Sequence, residues 1–113
     1  MKKYILILLA LVLALAMTAC ASGSEDERTL ETFRNAFTEA GIVLEDEDVP
    51  FYAMIGAKDG FLFYIDGQKV AVYEFATERN LQDSVLISDW PANGRFALET
   101  SNAKVIGIFN EVE

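Results

Sequence analysis

The chain has 113 residues, with 9 basic and 18 acidic side chains and a net charge of −9 at pH 7. It contains one cysteine and no histidine. A chain this acidic is not expected to bind nucleic acid, because the phosphates would repel it. The lack of histidine excludes Ser-His-Asp and Cys-His catalytic arrangements and removes the commonest transition-metal ligand.

The N-terminal segment has the composition of an export signal. Two lysines follow Met1, and residues 4–16 form an apolar run without a charged side chain. This run is shorter than the roughly 20 residues that a membrane-spanning helix needs. A basic start, a short apolar run and small residues before Cys20 are typical of a secretory signal peptide.

The residues around Cys20 resemble the processing site of bacterial lipoproteins. In that family an aliphatic residue and small residues precede the lipid-bearing cysteine; Thr18, Ala19 and Cys20 follow this pattern, and Met17 replaces the usual leucine. The resemblance implies cleavage between Ala19 and Cys20 and a diacylglycerol thioether on Cys20. Two acyl chains hold a protein firmly on a membrane. The alternative is ordinary cleavage after Ala21 and secretion, since residues 19–21 also satisfy the A-x-A rule.

The rest of the chain predicts one small domain. Residues 1–19 form the signal peptide, residues 20–26 the lipidated cysteine and a polar tether, and residues 27–113 a single domain. Loss of the two N-terminal lysines leaves seven basic and 18 acidic residues, a net charge of −11. Lipidation of Cys20 would leave no cysteine for an intramolecular disulfide, so the core alone must stabilise the domain.

The first predicted helix spans residues 25–40 and is followed by an acidic run. Gly41 and Ile42 are typical of a Schellman helix end. Residues 45–48 are four consecutive carboxylates without the spacing of a calcium-binding loop. We expect a solvated acidic loop there, and the alternative is a weak cation site. The apolar positions that indicate the helix are Leu30, Phe33, Phe37 and Ala40.

Residues 51–75 predict three antiparallel strands. Lys58-Asp59-Gly60 fits a three-residue hairpin loop, and Asp66-Gly67 fits a two-residue type I′ turn. Because strand side chains alternate, these turns assign every side chain to one of two faces. The predicted core face carries Phe51, Ala53, Ile55, Phe61, Phe63, Ile65, Val70 and Val72. The other face is amphipathic and carries Tyr52, Met54, Gly56, Leu62, Tyr64, Lys69, Ala71, Tyr73 and Phe75.

The last third of the chain predicts a helix, a strand and another helix. Thr77 is the expected N-cap of a helix over residues 77–87, and residues 95–100 alternate as a strand with Phe96 and Leu98 on one side. Residues 103–112 fit a helix, with a strand as the alternative. The side chains expected to face inward from the helix over residues 77–87 are Leu81, Val85 and Leu86.

The order α-β-β-β-α-β-α predicts an α+β fold. We expect a two-layer domain, in which an antiparallel meander of about four strands carries two or three packed helices. Four segments of this domain, residues 55–60, 63–67, 93–96 and 98–100, resemble small uncharacterised lipoproteins of Gram-positive bacteria. The resemblance implies an extracytoplasmic lipid-anchored protein and carries no activity.

The sequence contains no recognisable catalytic, cofactor-binding or metal-binding motif. We therefore expect a non-enzymatic binding or protein-interaction module on the outer face of the cell membrane, with the lipid on Cys20 as its membrane contact and a cell-envelope protein as its partner. The alternatives are a small-ligand or cation-binding lipoprotein that uses the acidic run, and a weak carboxylate-dependent hydrolase.

Aromatic side chains indicate where such a partner would bind. Tyr52, Tyr64 and Tyr73 share the amphipathic sheet face, and Trp90 lies in a loop before Pro91. Aromatic residues are enriched at protein interfaces, so these four positions form the predicted interaction face. The alternative is that a helix covers the tyrosines and that Trp90 closes the edge of the core.

Overall fold

The computed structural model of the protein describes residues 26–113. Five strands form one sheet in the order β1-β2-β3-β5-β4, with all neighbouring strands antiparallel. The predicted α+β fold is confirmed. The elements are α1 (Leu30–Glu39), β1 (Glu45–Asp48), a first 3-10 turn (Tyr52–Ile55), β2 (Asp59–Ile65), β3 (Gln68–Glu74), α2 (Glu78–Gln82), a second 3-10 turn (Val85–Ile87), β4 (Ala92–Asn93), β5 (Phe96–Glu99) and α3 (Ala103–Glu111).

The hairpin of β2 and β3 has the predicted turn and register. Asp66 and Gly67 both have positive φ, 49° and 80°, as a type I′ turn requires. The pairs Phe63–Val70, Tyr64–Lys69 and Ile65–Gln68 lie opposite each other. The alternation of side chains along both strands is therefore the predicted one.

The strand predicted at residues 51–57 is wrong. Residues 52–55 form a 3-10 turn, which Gly56 ends with a φ of 83°. The predicted hairpin loop at residues 58–60 is also wrong, since Asp59 and Gly60 open β2. The neighbour of β2 is instead the acidic run, expected as a loop but present as the edge strand β1. An edge strand pairs through its backbone, so its side chains can all remain in water.

One face of the sheet is covered by α1 and α3. Phe33 and Phe37 from α1 and Val105 and Phe109 from α3 are fully buried there. Burial of each such side chain contributes about 1.5–3 kcal/mol. The sheet residues of this core are Phe63, Val70, Val72, Phe96 and Leu98, with Phe61 and Ile65 partly buried at its margin.

Short elements cover the opposite face. The predicted helix over residues 77–87 is shorter and is followed by the second 3-10 turn. Thr77 is its N-cap as predicted, since Thr77 Oγ1 accepts a hydrogen bond from the Asn80 amide. Leu81 is buried as predicted, but Val85 and Leu86 are exposed and Ile87 is buried in their place. Because α2 ends at Gln82, residues 85–87 do not continue its spacing of 3.6 residues per turn. That spacing therefore does not decide which of their side chains face inward.

The helix ends follow local sequence signals. α1 begins at Leu30 rather than at residue 25, and the Thr29 amide donates to Thr32 Oγ1 at 3.1 Å. It ends at Glu39; Gly41, two residues on, has a φ of 88°, and the Ile42 amide donates to the Phe37 carbonyl at 3.0 Å, which is the predicted Schellman geometry. The segment over residues 103–112 is a helix; its cap Asn102 accepts a hydrogen bond from the Val105 amide.

Candidate functional site

The predicted lipid attachment lies outside the described residues. The signal peptide, the cleavage position between Ala19 and Cys20, and Cys20 itself all precede Asp26, so these stay predictions. From Asp26 to the C-terminus, no helix is long and apolar enough to cross a membrane.

Tyr73 belongs to the core. Its side chain is only 5% exposed, its hydroxyl donates to Glu99 Oε1 at 3.1 Å, and its ring stacks on Trp90 with centroids 5.7 Å apart. Burial, together with the negative charge of Glu99, raises the pKa of Tyr73 above its ordinary value. The structure thus places Tyr73 under a cover rather than on an open sheet face, and Trp90 is part of that cover.

The other aromatic candidates are half-buried. Tyr52, Tyr64 and Trp90 pack against the second core, which contains Leu62, Ala71, Tyr73, Phe75 and Ala97 from the sheet and Leu81 and Ile87 from its cover. The structure therefore brings all four predicted positions to one face of the sheet. The side chains of Tyr52, Tyr64 and Trp90 are partly accessible to solvent there, and that of Tyr73 is buried. A role of Tyr52, Tyr64 and Trp90 in binding stays a prediction.

Large exposed apolar side chains lie in and directly before the two 3-10 turns, which pack against the second core. Phe51 and Met54 are 86% and 75% exposed, and Val85 and Leu86 are 83% and 69% exposed. Ser84 Oγ, beside the second turn, donates to the carbonyl of Ile55 in the first turn at 2.8 Å. This hydrogen bond holds the two turns side by side. We call Phe51, Met54, Val85 and Leu86 the apolar patch.

Sequence reasoning missed the apolar patch because it assigned all four residues to regular elements. Phe51 was expected in the core, and Val85 and Leu86 were expected on the inner side of a helix. One signal does mark the patch in the sequence: residues 49–57 and residues 84–88 contain no charged side chain, although the chain is 24% charged. Charge-free runs of this kind are usually core, and only the tertiary structure distinguishes core from exposed surface.

A second feature is a cluster of polar side chains where the described chain begins. Arg28 forms an ion pair with Asp26 at 2.7 Å and donates to Asn93 Oδ1 at 2.7 Å. Its guanidinium carbon lies 5.6 Å from the ring centroids of both Phe33 and Phe96. The Arg28 hydrogen bond lowers the pKa of Asp26.

Arg95 completes this cluster. Its guanidinium pairs with Glu74 and donates to the carbonyl of Arg28, and it lies 4.6 Å from the ring centroid of Phe96. Glu74 is buried and also lies 3.5 Å from Lys58 Nζ, so its carboxylate has two cationic partners. We call Asp26, Arg28, Asn93 and Arg95 the N-terminal clasp. Asn93 adds hydrogen bonds from Nδ2 to the carbonyls of Phe109 and Val112.

A surface cavity of about 550 Å³ adjoins the clasp. Its charged lining residues are Asp26, Lys58, Glu78 and Arg95. Asp26, Lys58 and Arg95 already form ion pairs with neighbouring residues. Within residues 26–113 every buried side-chain nitrogen or oxygen atom has a hydrogen-bond partner. Three of the four charged lining residues are therefore already engaged with neighbouring residues of the domain.

The acidic run does not converge on one point. All four residues of β1 are exposed, and Asp46 has a positive φ of 51°. Glu47 forms a bidentate ion pair with Arg34, whose Nε and Nη2 donate to the two carboxylate oxygens at 2.7 and 2.8 Å. In the described part of the chain, no group of three or more carboxylate, cysteine or histidine side chains could hold a metal ion.

The fold and its surface features thus define an α+β domain with an apolar patch and an N-terminal clasp. Comparisons with protein-family models, with curated proteins and with solved structures find no match to this chain.

Proposed function

We propose that the protein is a membrane-anchored extracytoplasmic lipoprotein whose domain acts as a non-enzymatic binding module. The anchor would be a diacylglycerol thioether on Cys20, after removal of residues 1–19. The binding surface would be the apolar patch. The observation that supports this choice of binding surface is the exposure of four apolar side chains, Phe51, Met54, Val85 and Leu86, on an otherwise acidic domain.

Exposed apolar surface of this kind needs an occupant. Single exposed apolar side chains are ordinary, but a group that is held together at one place marks a contact site. The backbone hydrogen bonds of both turns and the bond between Ser84 and Ile55 fix the backbones that carry these side chains relative to each other. A preorganised surface loses little conformational entropy when it binds. The buried polar groups, in contrast, are all engaged within the domain.

The anchor is tested by metabolic labelling with radioactive palmitate. The parent protein should incorporate the label and stay with the membrane fraction. Cys20→Ala should lose the label, and because residues 19–21 would still satisfy the A-x-A rule, it should be released into the medium. An unlabelled parent protein in the medium would contradict the anchor and support secretion after Ala21.

The binding surface is tested by site-specific photocrosslinking in intact cells. A benzophenone amino acid replaces Phe51, and the matched control replaces Val43, which is 71% exposed but lies outside the patch. Crosslinks to a cell-envelope component from position 51 and not from position 43 are expected. Equal yields at both positions, or none at position 51, would contradict the patch as a binding surface.

A further inference from the structure

We infer that the apolar patch docks onto the outer leaflet of the bilayer that holds the protein's own lipid anchor. This inference rests on the proposed function, because it names the occupant of the same surface. Its support comes from where the chain enters the domain, from the distribution of charge around the patch, and from the side chains that form the patch.

The entry point of the chain sets which end of the domain lies near the membrane. Only five residues separate Cys20 from Asp26, and the six residue-to-residue steps span at most about 20 Å in an extended chain. Asp26 is itself fixed to the domain by the N-terminal clasp. The domain therefore cannot move far from the bilayer, and the end that carries Asp26 stays within about 20 Å of it.

The patch lies at this same end. Asp26 lines one cavity together with Lys58 and Glu78. Lys58 follows the first 3-10 turn by three residues, and Glu78 opens α2, which leads into the second 3-10 turn. The strand ends agree with this placement, because β2 begins where β3 ends. The opposite end of the sheet carries the turn at Asp66-Gly67 and, beside β1, Val43.

The charge distribution restricts any membrane contact to the patch. A domain with a net charge of −11 is repelled by an anionic membrane surface, so any contact must come from a charge-free region. Residues 49–57 and 84–88 provide one, and the exposed side chain of Lys58 directly follows the first of them. Exposed phenylalanine and leucine beside half-buried Tyr52 match the composition of surfaces that enter the headgroup region.

The contact should be shallow. Asp83 and Asp89 flank the second charge-free run and are exposed, and a carboxylate does not enter hydrocarbon at low cost. The tips of Phe51, Met54 and Leu86 therefore reach the boundary between headgroups and acyl chains, while the two aspartates stay in water. Repulsion of these carboxylates should weaken docking as the anionic lipid content rises and as salt is removed.

The test uses the lipidated full chain, purified from membranes and reconstituted into vesicles of phosphatidylcholine and phosphatidylglycerol. Cys20 is the only native cysteine, and its sulfur is blocked in the lipidated protein. A nitroxide reagent therefore labels only a newly introduced cysteine. The variants are Met54→Cys and Leu86→Cys in the patch, with Val43→Cys as a matched control at the opposite end. All three positions are exposed, so labelling should leave the core intact. Electron paramagnetic resonance compares label collisions with oxygen, which enters lipid, and with a nickel complex, which stays in water.

Docking predicts that the labels at positions 54 and 86 show a severalfold higher ratio of oxygen to nickel collisions than the label at position 43. The ratio should fall as phosphatidylglycerol replaces phosphatidylcholine. Water-exposed labels at all three positions on a palmitate-bearing protein would overturn docking and leave the anchor standing. Spin–spin broadening at position 54 without oxygen accessibility would show that a second copy occupies the patch instead. A protein that carries no lipid on Cys20 would overturn the proposed anchor together with the inference.

Discussion

Arginine side chains connect the start of the described chain to the domain. Arg28 reaches Asp26, Asn93 and the Val112 carbonyl while it lies against two phenylalanine rings. A planar guanidinium with five donors can make all these contacts at once, which a lysine could not. Gly94 beside it has a φ of 61°, a conformation that favours glycine, and a Cβ atom there would force the ends of the Arg28 and Asp26 side chains to move. The contacts of Arg28 tie the start of the described chain to Asn93 and Val112.

The ion pair of the clasp predicts a pH dependence. Arg28 holds the pKa of Asp26 below its ordinary value of 3.8, so Asp26 stabilises the fold above that pH and loses its contribution as the pH falls through its folded-state pKa. Asp26→Asn should cost about 1 kcal/mol at pH 7, because the pair is partly exposed to solvent. Urea unfolding at several pH values should show this difference shrinking below pH 4.

The same comparison in an Arg28→Met background serves as the control. Without the guanidinium, Asp26→Asn should have a clearly smaller and less pH-dependent effect, because only the backbone amide of residue 28 and the charge of Arg95 still favour the carboxylate. A pH-dependent difference of unchanged size after the loss of the Arg28 side chain would contradict the assignment of the effect to this pair.

Tyr73 predicts a second titration at the alkaline end. Because burial raises its pKa, Tyr73 stays protonated in the fold, and its contribution to stability is complete below pH 10 and is lost above it. Tyr73→Phe should cost about 1 kcal/mol through the lost hydrogen bond to Glu99. Subtraction of the ultraviolet titration of this variant from that of the parent isolates Tyr73. Its phenolate should appear only as the circular dichroism signal collapses; ionisation near pH 10 in a folded protein would contradict its burial.

At the scale of the elements, the caps at Thr77 and at Gly41-Ile42 were the most predictable features. Both act as predicted, because a cap depends on hydrogen bonds within one turn of the chain. The type I′ turn at Asp66-Gly67 is local in the same sense. The strand at residues 51–57 failed because a short apolar run has the same composition in a strand and in a 3-10 turn. The neighbour that pairs with β2 is chosen by contacts distant in sequence.

Two glycines, one just beyond the end of α1 and one inside α3, give a matched test of backbone conformation. Gly41→Ala should destabilise the domain by about 1–2 kcal/mol, since its φ of 88° is unfavourable for a residue with a side chain. Gly107→Ala in α3 should instead stabilise it by roughly 0.5–1 kcal/mol, because a Cβ there meets nothing within 4 Å. Thermal and denaturant unfolding measure both changes. A loss of stability at both positions would show that the difference does not come from the backbone conformation.

At the scale of the whole molecule, the acidic side chains of β1 protect the edge of the sheet from pairing with other molecules. β1 is an edge strand, and its four carboxylates are exposed. Charged edge strands resist pairing with strands of other molecules. The charge of β1 thus opposes self-association through this edge of the sheet. The proposed contact surface, the apolar patch, lies instead at the two 3-10 turns.

This role predicts that neutral amides at the edge promote association. Glu45→Gln, Asp46→Asn and Asp48→Asn together should increase self-association at a given protein concentration, measured by sedimentation velocity. Glu47 is kept because it pairs with Arg34. The control, Glu27→Gln with Glu39→Gln and Glu111→Gln, removes the same charge from exposed sites away from β1. Equal association of both variants would assign the effect to net charge alone.

The amino-acid sequence by itself determined the α+β class, the register of the β2-β3 hairpin and the caps at Gly41-Ile42 and Thr77. These features depend on periodicity and on contacts within a few residues. The tertiary structure alone decided that the acidic run pairs with β2, that Tyr73 lies beneath Trp90, and that Arg28 and Arg95 join both ends of the described chain. It also decided that Phe51 and Val85 are exposed. The physical reason is that burial and pairing depend on which distant segments meet, and a short segment of sequence does not carry that information.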